Sequence, residues 1–294
     1  MKILQITGGD NGWGVVNRAE HLRRVLHENG AEMELVPYGK PSKPFSTYDI
    51  IHIQTLSLVR HFIHVPELYR HPCWGFEVVS ERSLKHLATS KRIIPLAKWS
   101  VVKNPRLQSK ILPLFKGHCL YIPNGVDTKI FKPRPILLGW VGNKSALSLL
   151  KYKGVYIVQE AVRQLNLEWK SYGLHVEFML DPSDYPKKVY GSSDIAQFYQ
   201  CLDAYVSASH AEGCSNVTLE ALATGLPVLT TETGIIPELV DKLPLTVVPR
   251  KVVGVLEGLK RMFDPILQRR KLMMGSYDWD TIAARYLHLY RSII

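Results

Sequence analysis

The chain has 294 residues, of which 46% are hydrophobic. That composition excludes a disordered chain and allows two α/β domains with cores of their own. No apolar stretch approaches the ~20 residues that a membrane-spanning helix needs, and the formal net charge is +11 at pH 7. The four cysteines have neither metal-ligand nor disulfide spacing, which suits a reducing cytoplasm.

Strands and helices are predicted to alternate through the first half of the chain. Lys2–Thr7 has the pattern of a buried strand rather than of a signal peptide. After a glycine-rich turn, residues 15–29 are predicted to form an amphipathic helix. A further helix is predicted from about Lys98, bending or stopping at Pro105. Further strands are predicted at 32–37, 50–54, 92–96 and 120–122. Such alternation indicates a parallel sheet with right-handed crossovers.

The glycine-rich turn comes within one residue of a dinucleotide-binding fingerprint. Gly12, Trp13 and Gly14 fit it, but Asn17 stands where the third glycine is expected. No acidic residue ends the second strand, so the pattern argues against NAD binding.

Two polar residues, His52 and Gln54, end the strand predicted at 50–54. Because ligands bind at the carboxyl ends of parallel strands, both are predicted to contact an acceptor or a sugar. Packing in the core is an equal alternative for His52.

A basic segment runs from Arg82 to Val126, with nine Lys or Arg residues and no acidic residue. Such a segment attracts phosphate-bearing surfaces, either lipid headgroups or nucleic acid. Trp99 and Ile93–Ile94 lie among these cations and are predicted to insert at a membrane interface. A solvated basic surface is the alternative.

The second half of the chain begins after a turn-rich connection through Pro133 and Pro135. A second α/β series is predicted from Ile136 to about residue 270, and residues 277–290 form an amphipathic helix. Asp278 and Asp280 match a metal-binding Asp-x-Asp pattern. They open this last helix, where Asp is an ordinary cap residue, so a metal site is rejected.

The most informative passage lies between two predicted buried strands, residues 204–209 and 227–231. The loop between them contains Glu212, and a helix predicted from Asn216 contains Glu220. The loop therefore follows the carboxyl end of a parallel strand and opens onto a helix N-terminus. That position favours a bound phosphate.

Seven residues separate the two glutamates, and Gly225-Leu-Pro-Val228 and Gly234-Ile-Ile-Pro-Glu-Leu-Val240 follow them. This pattern resembles the donor-binding motif of the retaining GT-B-type glycosyltransferases, the family of sucrose synthase and bacterial mannosyl and lipopolysaccharide glycosyltransferases. Ile122–Asp127, followed by Phe131-Lys-Pro133, is similar to that family's inter-domain connection. The resemblance is close over about 120–240 and at the terminal helix. It is looser over the N-terminal half, which is short for the family.

The resemblance implies two facing Rossmann-like domains with parallel sheets and the active site in the cleft between them. Residues 1–127 would form the acceptor-side domain and residues 128–275 the nucleotide-sugar donor domain. Residues 276–294 would form a helix that packs back on the N-terminal domain.

The resemblance also implies roles for individual residues. Glu212 would face the donor sugar near the reacting carbon, and Glu220 would accept hydrogen bonds from the ribose hydroxyls. Lys153 matches the family lysine at the donor phosphates. The amides that approach the sugar and the phosphate would be those of Gly213, Cys214, Ser215, Asn216 and Val217.

The phosphate-binding loop departs from the family pattern. After Gly142, the position of the usual arginine carries Asn143, and Lys144 beside it is expected to serve as the second cation, although lysine lacks the fork of arginine. In the family, the loop that here contains Gly12, Trp13 and Gly14 shapes the phosphate and acceptor side.

The reaction so implied moves a sugar from a nucleotide-diphosphate donor to a hydroxyl, with retained configuration and without a metal or cofactor. The acceptor stays open between a lipid-linked or membrane-surface glycan reached through the basic 82–116 face, modified DNA, and a diffusible molecule. A cytoplasmic location, peripheral at the inner membrane face, is the matching expectation. A non-catalytic nucleotide-sugar or nucleic-acid binding protein is the rival hypothesis, and a carboxylate pair in an anion site argues against it.

Overall fold

The computed structural model describes residues 1–8, 13–37, 41–86, 92–142, 147–180, 192–243 and 245–294. Gly12, Asn143 and Lys144, which carry sequence-based predictions, lie outside these residues. The chain forms two compact units, one of residues 1–131 with 272–294 and the other of residues 132–271. Within the described ranges, no helix is long and apolar enough to cross a membrane.

The first unit is built on one parallel sheet in the order β2-β1-β3-β4-β5-β6. In chain order its strands are β1 (Lys2–Thr7), β2 (Glu32–Pro37), β3 (Ile50–Ile53), β4 (Trp74–Val78), β5 (Trp99–Val102) and β6 (His118–Tyr121). Its helices before the connection are α1 (Trp13–Glu28), α2 (Leu56–Val59), α3 (Pro66–Tyr69) and α4 (Pro105–Ile111). The helix predicted at 15–29 thus begins two residues earlier, at Trp13.

The prediction for residues 92–111 is wrong. The stretch predicted as a strand contains a short 3₁₀ helix, Ile94–Leu96, and the strand is Trp99–Val102. All four residues of that strand are buried, and burial between two neighbouring strands overrides the helical pattern. Pro105 begins α4 rather than ending a helix, because its missing N–H is not needed in a first turn.

The second unit contains a five-stranded parallel sheet in the order β11-β10-β9-β7-β8. Its strands are β7 (Ile136–Gly139), β8 (Val176–Met179), β9 (Ala204–Ser207), β10 (Val228–Thr230) and β11 (Leu245–Val247). Its helices are α5 (Leu147–Tyr152), α6 (Val155–Trp169), α7 (Ser192–Cys201), α8 (Asn216–Ala223), α9 (Ile236–Leu239) and α10 (Val252–Leu272).

The last helix, α11 (Trp279–Ile293), belongs to the first unit. Asp278 caps it by accepting a hydrogen bond from the Asp280 amide at 3.2 Å, which confirms the predicted cap. Trp279 stacks on His21 of α1, with ring centroids 5.5 Å apart. The predicted α/β fold with two parallel sheets and a returning terminal helix is confirmed.

Candidate functional site

The candidate site lies where strand β9 ends in the second unit. The carboxylate oxygen Oε1 of Glu212 accepts a hydrogen bond from Lys153 Nζ at 2.5 Å and one from Ser209 Oγ at 2.6 Å. The side chains of Glu212 and Lys153 are 16% and 27% exposed, so both are held in place and still accessible. Two residues that the sequence separates by 59 positions are thus brought together.

Gly154 sets the position of Lys153 at the start of α6. It adopts a left-handed conformation with φ of 69°, and a Cβ there would lie 2.1 Å from the carbonyl oxygen of Ala208. Only glycine permits this approach. The turn carrying Lys153 therefore packs directly against the residues that follow β9.

Arg250 holds the same two segments together from a third position. Its Nε donates to the Ala208 carbonyl at 2.9 Å, and its Nη2 donates to the carbonyls of Lys151 and Tyr152 at 2.8 and 3.2 Å. The backbone amide of His210 also donates to the Tyr152 carbonyl at 2.9 Å. The guanidinium therefore fixes the end of α5 relative to the loop that carries Glu212.

A second close backbone approach supports the Glu212 loop from its other side. Gly234 has φ of 56°, and a Cβ there would lie 2.0 Å from the carbonyl oxygen of Gly213 and 2.9 Å from that of Glu212. The Gly234 segment, which follows β10, thus packs directly on the loop that follows β9.

Glu220, the second glutamate of the motif, is exposed on α8. Its Oε2 accepts a hydrogen bond from the Tyr199 hydroxyl at 3.0 Å. Burial, followed by the charge of Tyr205 and the contact with Glu220, raises the pKa of Tyr199, so this hydroxyl stays a donor. Burial also raises the pKa of Tyr205, and the charges of Glu212 and Glu220 add to that effect. The charges of both carboxylates therefore favour the neutral form of this buried tyrosine.

The residues between the two glutamates leave the start of α8 open. Gly213, Cys214 and Asn216 are exposed, whereas Ser215 is buried. Ser215 precedes the helix without making a side-chain capping bond, and the first turn contains no acidic residue. Val217, on that turn, is half-buried. This helix start has the electrostatics that favour an anion.

A cavity of about 530 Å³ adjoins the site through Ser209. Its walls come from the ends of β9, β10 and β11 and include His210, Thr231, Glu232 and Arg250. Its volume lies within the range of small-ligand sites. Gly142, half-buried after β7, lies against the buried ring of Trp140.

In the first unit, the structure buries two residues that the sequence predicts as ligand contacts. His52 and Gln54 have no exposed surface, so neither side chain is accessible to an acceptor in this structure. His52 instead packs in the core, as the alternative prediction stated. Its Nδ1 lies 2.8 Å from the Tyr290 hydroxyl. Trp13 and Gly14 lie in the first turn of α1.

His52 belongs to a buried network around Glu77. The Glu77 carboxylate lies 3.0 Å from His52 Nε2, 3.1 Å from Lys103 Nζ and 3.2 Å from Arg18 Nη2. It also accepts a hydrogen bond from the Tyr286 hydroxyl at 2.5 Å. Burial lowers the pKa of His52, which keeps it neutral, and burial lowers the pKa of Lys103 to about 8. The network joins α1, β3, β4, β5 and α11.

The basic segment is less uniform than its sequence indicates. Trp99, Ile93 and Ile94 are at most 4% exposed, so the predicted insertion of these side chains at a membrane is wrong. They pack in the core of the first unit. Lys103 is paired with Glu77, and Lys110 is paired with Glu81 at 2.8 Å. Acidic residues just before the segment therefore neutralise part of its charge.

Three residues of these sites escape prediction from the sequence. Arg250 lies three residues after the end of β11, and a cation beside a strand's carboxyl end is a detectable signal. Glu77 stands within the apolar run 74–79, where an acidic residue indicates a buried partner. Tyr199 carries no comparable signal, because tyrosine is common in helices that pack on a sheet.

Comparisons with known proteins find similarity over the segment that contains this site. Residues 138–264 match the family described as "Glycosyl transferases group 1". A curated MMP alpha-(1->4)-mannosyltransferase from Mycolicibacterium hassiacum is 28% identical over 201 residues, which cover 59% of this chain and 48% of that protein. The chain thus spans about half the length of this curated relative.

Two solved structures match over nearly the whole chain. Sucrose-phosphate synthase from Thermosynechococcus elongatus has 17% identity and a TM-score of 0.42, with 100% of this chain and 99% of that chain covered. Anabaena HepE in complex with UDP-glucose has 17% identity and a TM-score of 0.40, with 99% and 100% covered.

The family match runs from within β7 to within α10 and includes Lys153 and Ser209, which contact the Glu212 carboxylate. The predicted resemblance to the GT-B-type glycosyltransferases is confirmed through this segment. Residues 138–264 of this chain are therefore similar to the glycosyl transferases group 1 family.

Proposed function

We propose that this protein is a retaining glycosyltransferase that moves a sugar from a nucleotide-diphosphate donor to a hydroxyl acceptor. The observation that carries the proposal is the contact of Glu212 with Lys153 and Ser209 at the carboxyl end of β9. An accessible carboxylate and ammonium beside an open helix start provide what a sugar diphosphate requires, namely a cation, free amides and an oriented acceptor of hydrogen bonds.

Each of these groups has a role in the proposed reaction. The Lys153 ammonium has three donors, and with one directed at Glu212 the others serve phosphate oxygens of the donor. The amides at the start of α8 face the same phosphates. Glu220, oriented by Tyr199, accepts hydrogen bonds from the ribose hydroxyls. Glu212 faces the sugar and stabilises positive charge that develops at its anomeric carbon.

The chemical step balances without a further reactant. The bond from the anomeric carbon to the diphosphate oxygen breaks, and a bond from the acceptor oxygen to that carbon forms on the same face. The acceptor proton moves to the departing phosphate oxygen. Lys153 and the helix start stabilise the charge on this leaving group.

The proposal extends to the acceptor and the compartment. We place the reaction in polysaccharide or glycolipid synthesis, at the cytoplasmic face of a membrane. Exposed basic residues of the 82–116 segment, such as Arg82, Lys85 and Arg92, supply attraction for an anionic surface. Transfer to modified DNA would use the same charges, and its binding would fall steeply with salt.

A panel of nucleotide sugars scored by thermal shift tests the proposed function. A donor that binds only the folded protein raises the melting temperature, by an amount that grows with ligand concentration. We expect one nucleotide sugar to stabilise the protein and the Lys153→Gln variant to lose that shift. Absence of a shift with every nucleotide and nucleotide sugar contradicts the proposal, and binding without sugar transfer favours the non-catalytic alternative.

The Glu220→Ala variant is expected to bind the donor more weakly, by about 1–3 kcal/mol, because a carboxylate with two ribose hydrogen bonds contributes that much. The Tyr199→Phe variant should weaken binding less, since it removes only the hydrogen bond that orients Glu220. Calorimetry with the nucleotide from the panel measures both. An unchanged dissociation constant for Glu220→Ala removes Glu220 from the ribose role.

Sugar transfer is expected to continue in EDTA, because Lys153 and the start of α8 replace a metal at the diphosphate. The assay compares initial rates with EDTA, with added Mg²⁺ and with added Mn²⁺. Loss of activity in EDTA that either metal restores contradicts the metal-free mechanism.

The Arg250→Lys variant is expected to lose about tenfold in turnover, because an ammonium cannot reproduce the planar fork that joins three carbonyls. The substitution should lower turnover more than the melting temperature, since it displaces the turn that carries Lys153. The Lys251→Ala variant is the matched control, because Lys251 is an exposed neighbour. Equal turnover in both variants contradicts a positioning role for Arg250.

A further inference from the structure

A small cavity lies in the first unit, and none of its lining residues is one of those discussed for the donor. It has a volume of about 330 Å³ and forms where β3 and β4 end, beside α1. This is the edge of a parallel sheet at which ligands bind. Its walls include Arg18, Arg82, His86, Ser57, Ser80 and Ser83.

Arg18 is fixed at the inner wall of this cavity. Its Nη2 lies 3.2 Å from Glu77 Oε2, its Nη1 donates to Asn124 Oδ1 at 3.2 Å, and its side chain is 11% exposed. Glu77 faces two cations, Arg18 and Lys103, and one carboxylate balances only one of them. The buried network therefore leaves a net positive charge behind the cavity.

The outer wall and its surroundings are also positive. The cavity is lined by no Asp or Glu among the described residues, and the nearby Glu81 is directed to Lys110, 2.8 Å away. Burial lowers the pKa of His86, and the positive charges of Arg60, His61 and Lys85 lower it further. Two guanidinium groups in a positive field attract an anion.

Hydroxyl groups complete the cavity. Ser57 Oγ lies 3.2 Å from Thr55 Oγ1, and Ser80 Oγ lies 3.4 Å from Ser83 Oγ. Hydroxyl hydrogens rotate to suit an incoming acceptor. Two guanidinium groups and these hydroxyls supply more donors than the two oxygens of a carboxylate need, and they suit the several oxygens of a phosphate.

We propose that this cavity, the Arg18–Arg82 pocket, binds a phosphate group, and that this phosphate belongs to the acceptor. The second part rests on the proposed function, whereas phosphate binding by itself does not. A volume at the small end of ligand sites suits a phosphate with one attached sugar or polyol ring rather than a nucleotide. The lining residues come from the first unit, whereas the donor residues belong to the second.

Binding of inorganic phosphate to the full chain, measured by calorimetry at constant ionic strength, tests the pocket. Arg82 is exposed and does not contact Glu77, so the Arg82→Gln variant should remain folded. We expect it to weaken phosphate binding about fivefold, since an exposed guanidinium contributes less than a buried one. The Arg106→Gln variant, in the same basic segment but outside the pocket, should bind as the wild type does.

Because phosphate can also bind at Lys153, the Lys153→Gln variant separates the two sites. If Lys153→Gln abolishes phosphate binding and Arg82→Gln leaves it unchanged, the proposed phosphate site in this pocket is wrong. An equal loss of phosphate affinity in Arg82→Gln and Arg106→Gln also contradicts the proposal, since that result indicates only general electrostatic attraction. If phosphate binding depends on Arg82 but no nucleotide sugar stabilises the protein, the phosphate site is supported and the proposed glycosyltransferase function is rejected.

Two further probes distinguish the source of the phosphate. A soluble hexose phosphate and vesicles containing phosphatidylinositol are compared with neutral vesicles at ~150 mM salt, where non-specific attraction is damped. Arg82-dependent binding of the hexose phosphate assigns a diffusible acceptor. Arg82-dependent binding of the vesicles assigns a lipid headgroup. Binding of both probes that is insensitive to Arg82→Gln overturns the assignment to the acceptor.

Discussion

The Glu212→Ala variant is expected to lose about a hundredfold in turnover, while its dissociation constant for the donor changes only a few-fold. Glu212 Oε1 already receives hydrogen bonds from Lys153 and Ser209, so the carboxylate is oriented before a substrate arrives. A group fixed in this way costs no reorganisation during the reaction. It therefore acts most strongly where charge develops on the sugar, which is the transition state.

The measurement compares turnover and donor affinity for Glu212→Ala, Glu212→Gln and Glu177→Ala. Glu177 is an exposed carboxylate on β8 of the same unit, and its removal should change neither quantity. Glu212→Gln keeps the shape but not the charge, so it should resemble the alanine variant in turnover. If Glu212→Ala weakens donor binding as much as it slows turnover, Glu212 is a uniform binding residue.

The sequence predicts the second unit well because its signals are local. Residues 204–223 contain an apolar strand, a loop of small residues and a helix start in immediate succession, and the structure has each in place. Lys153 is predicted from a motif alone, since nothing in the sequence shows that its ammonium reaches Glu212. That contact depends on the close approach of Gly154 to Ala208.

The sequence predicts the first unit less well because its determinants are long-range. The sequence around Trp99 predicts a helix, but these residues form a buried strand between β4 and β6. His52 stands at a strand end, as a ligand contact does, yet α11 covers it with Tyr290 from 238 residues away. A pattern of side chains along one segment does not reveal which distant helix will cover it.

The Glu77→Ala variant is expected to lower the free energy of unfolding of the first unit by about 3–5 kcal/mol. Glu77 is 1% exposed and faces Arg18, Lys103 and neutral His52. Its removal leaves two cations at a buried position without a counter-charge. It also removes the acceptor of the Tyr286 hydroxyl, by which α11 is joined to the sheet.

Calorimetry on the whole protein measures this effect, because the two units can unfold in separate transitions. The transition of the first unit should move and that of the second should not. The Glu81→Ala variant is the matched control, since Glu81 is an exposed glutamate four residues away that pairs with exposed Lys110. Its cost should stay within ~0.5 kcal/mol. Equal costs for the two variants contradict a structural role for the buried network.

The pH dependence of the Glu77→Gln variant provides a sharper test of the same network. Burial by itself raises the pKa of the Glu77 carboxyl, but the charges of Lys103 and Arg18 and the contact with His52 hold that pKa well below the usual 4.5. A carboxyl with a lowered folded-state pKa stabilises the protein fully above its unfolded-state pKa. That contribution disappears as the pH falls through the lower, folded-state value.

The difference in unfolding free energy between the wild type and Glu77→Gln should therefore be constant from pH 7 to pH 5 and shrink below about pH 4.5. Lys103, whose pKa is lowered to about 8, is protonated throughout that window. The change in slope therefore does not come from Lys103. A difference that stays constant down to pH 3 would show that Glu77 contributes through its shape and hydrogen bonds rather than through its charge.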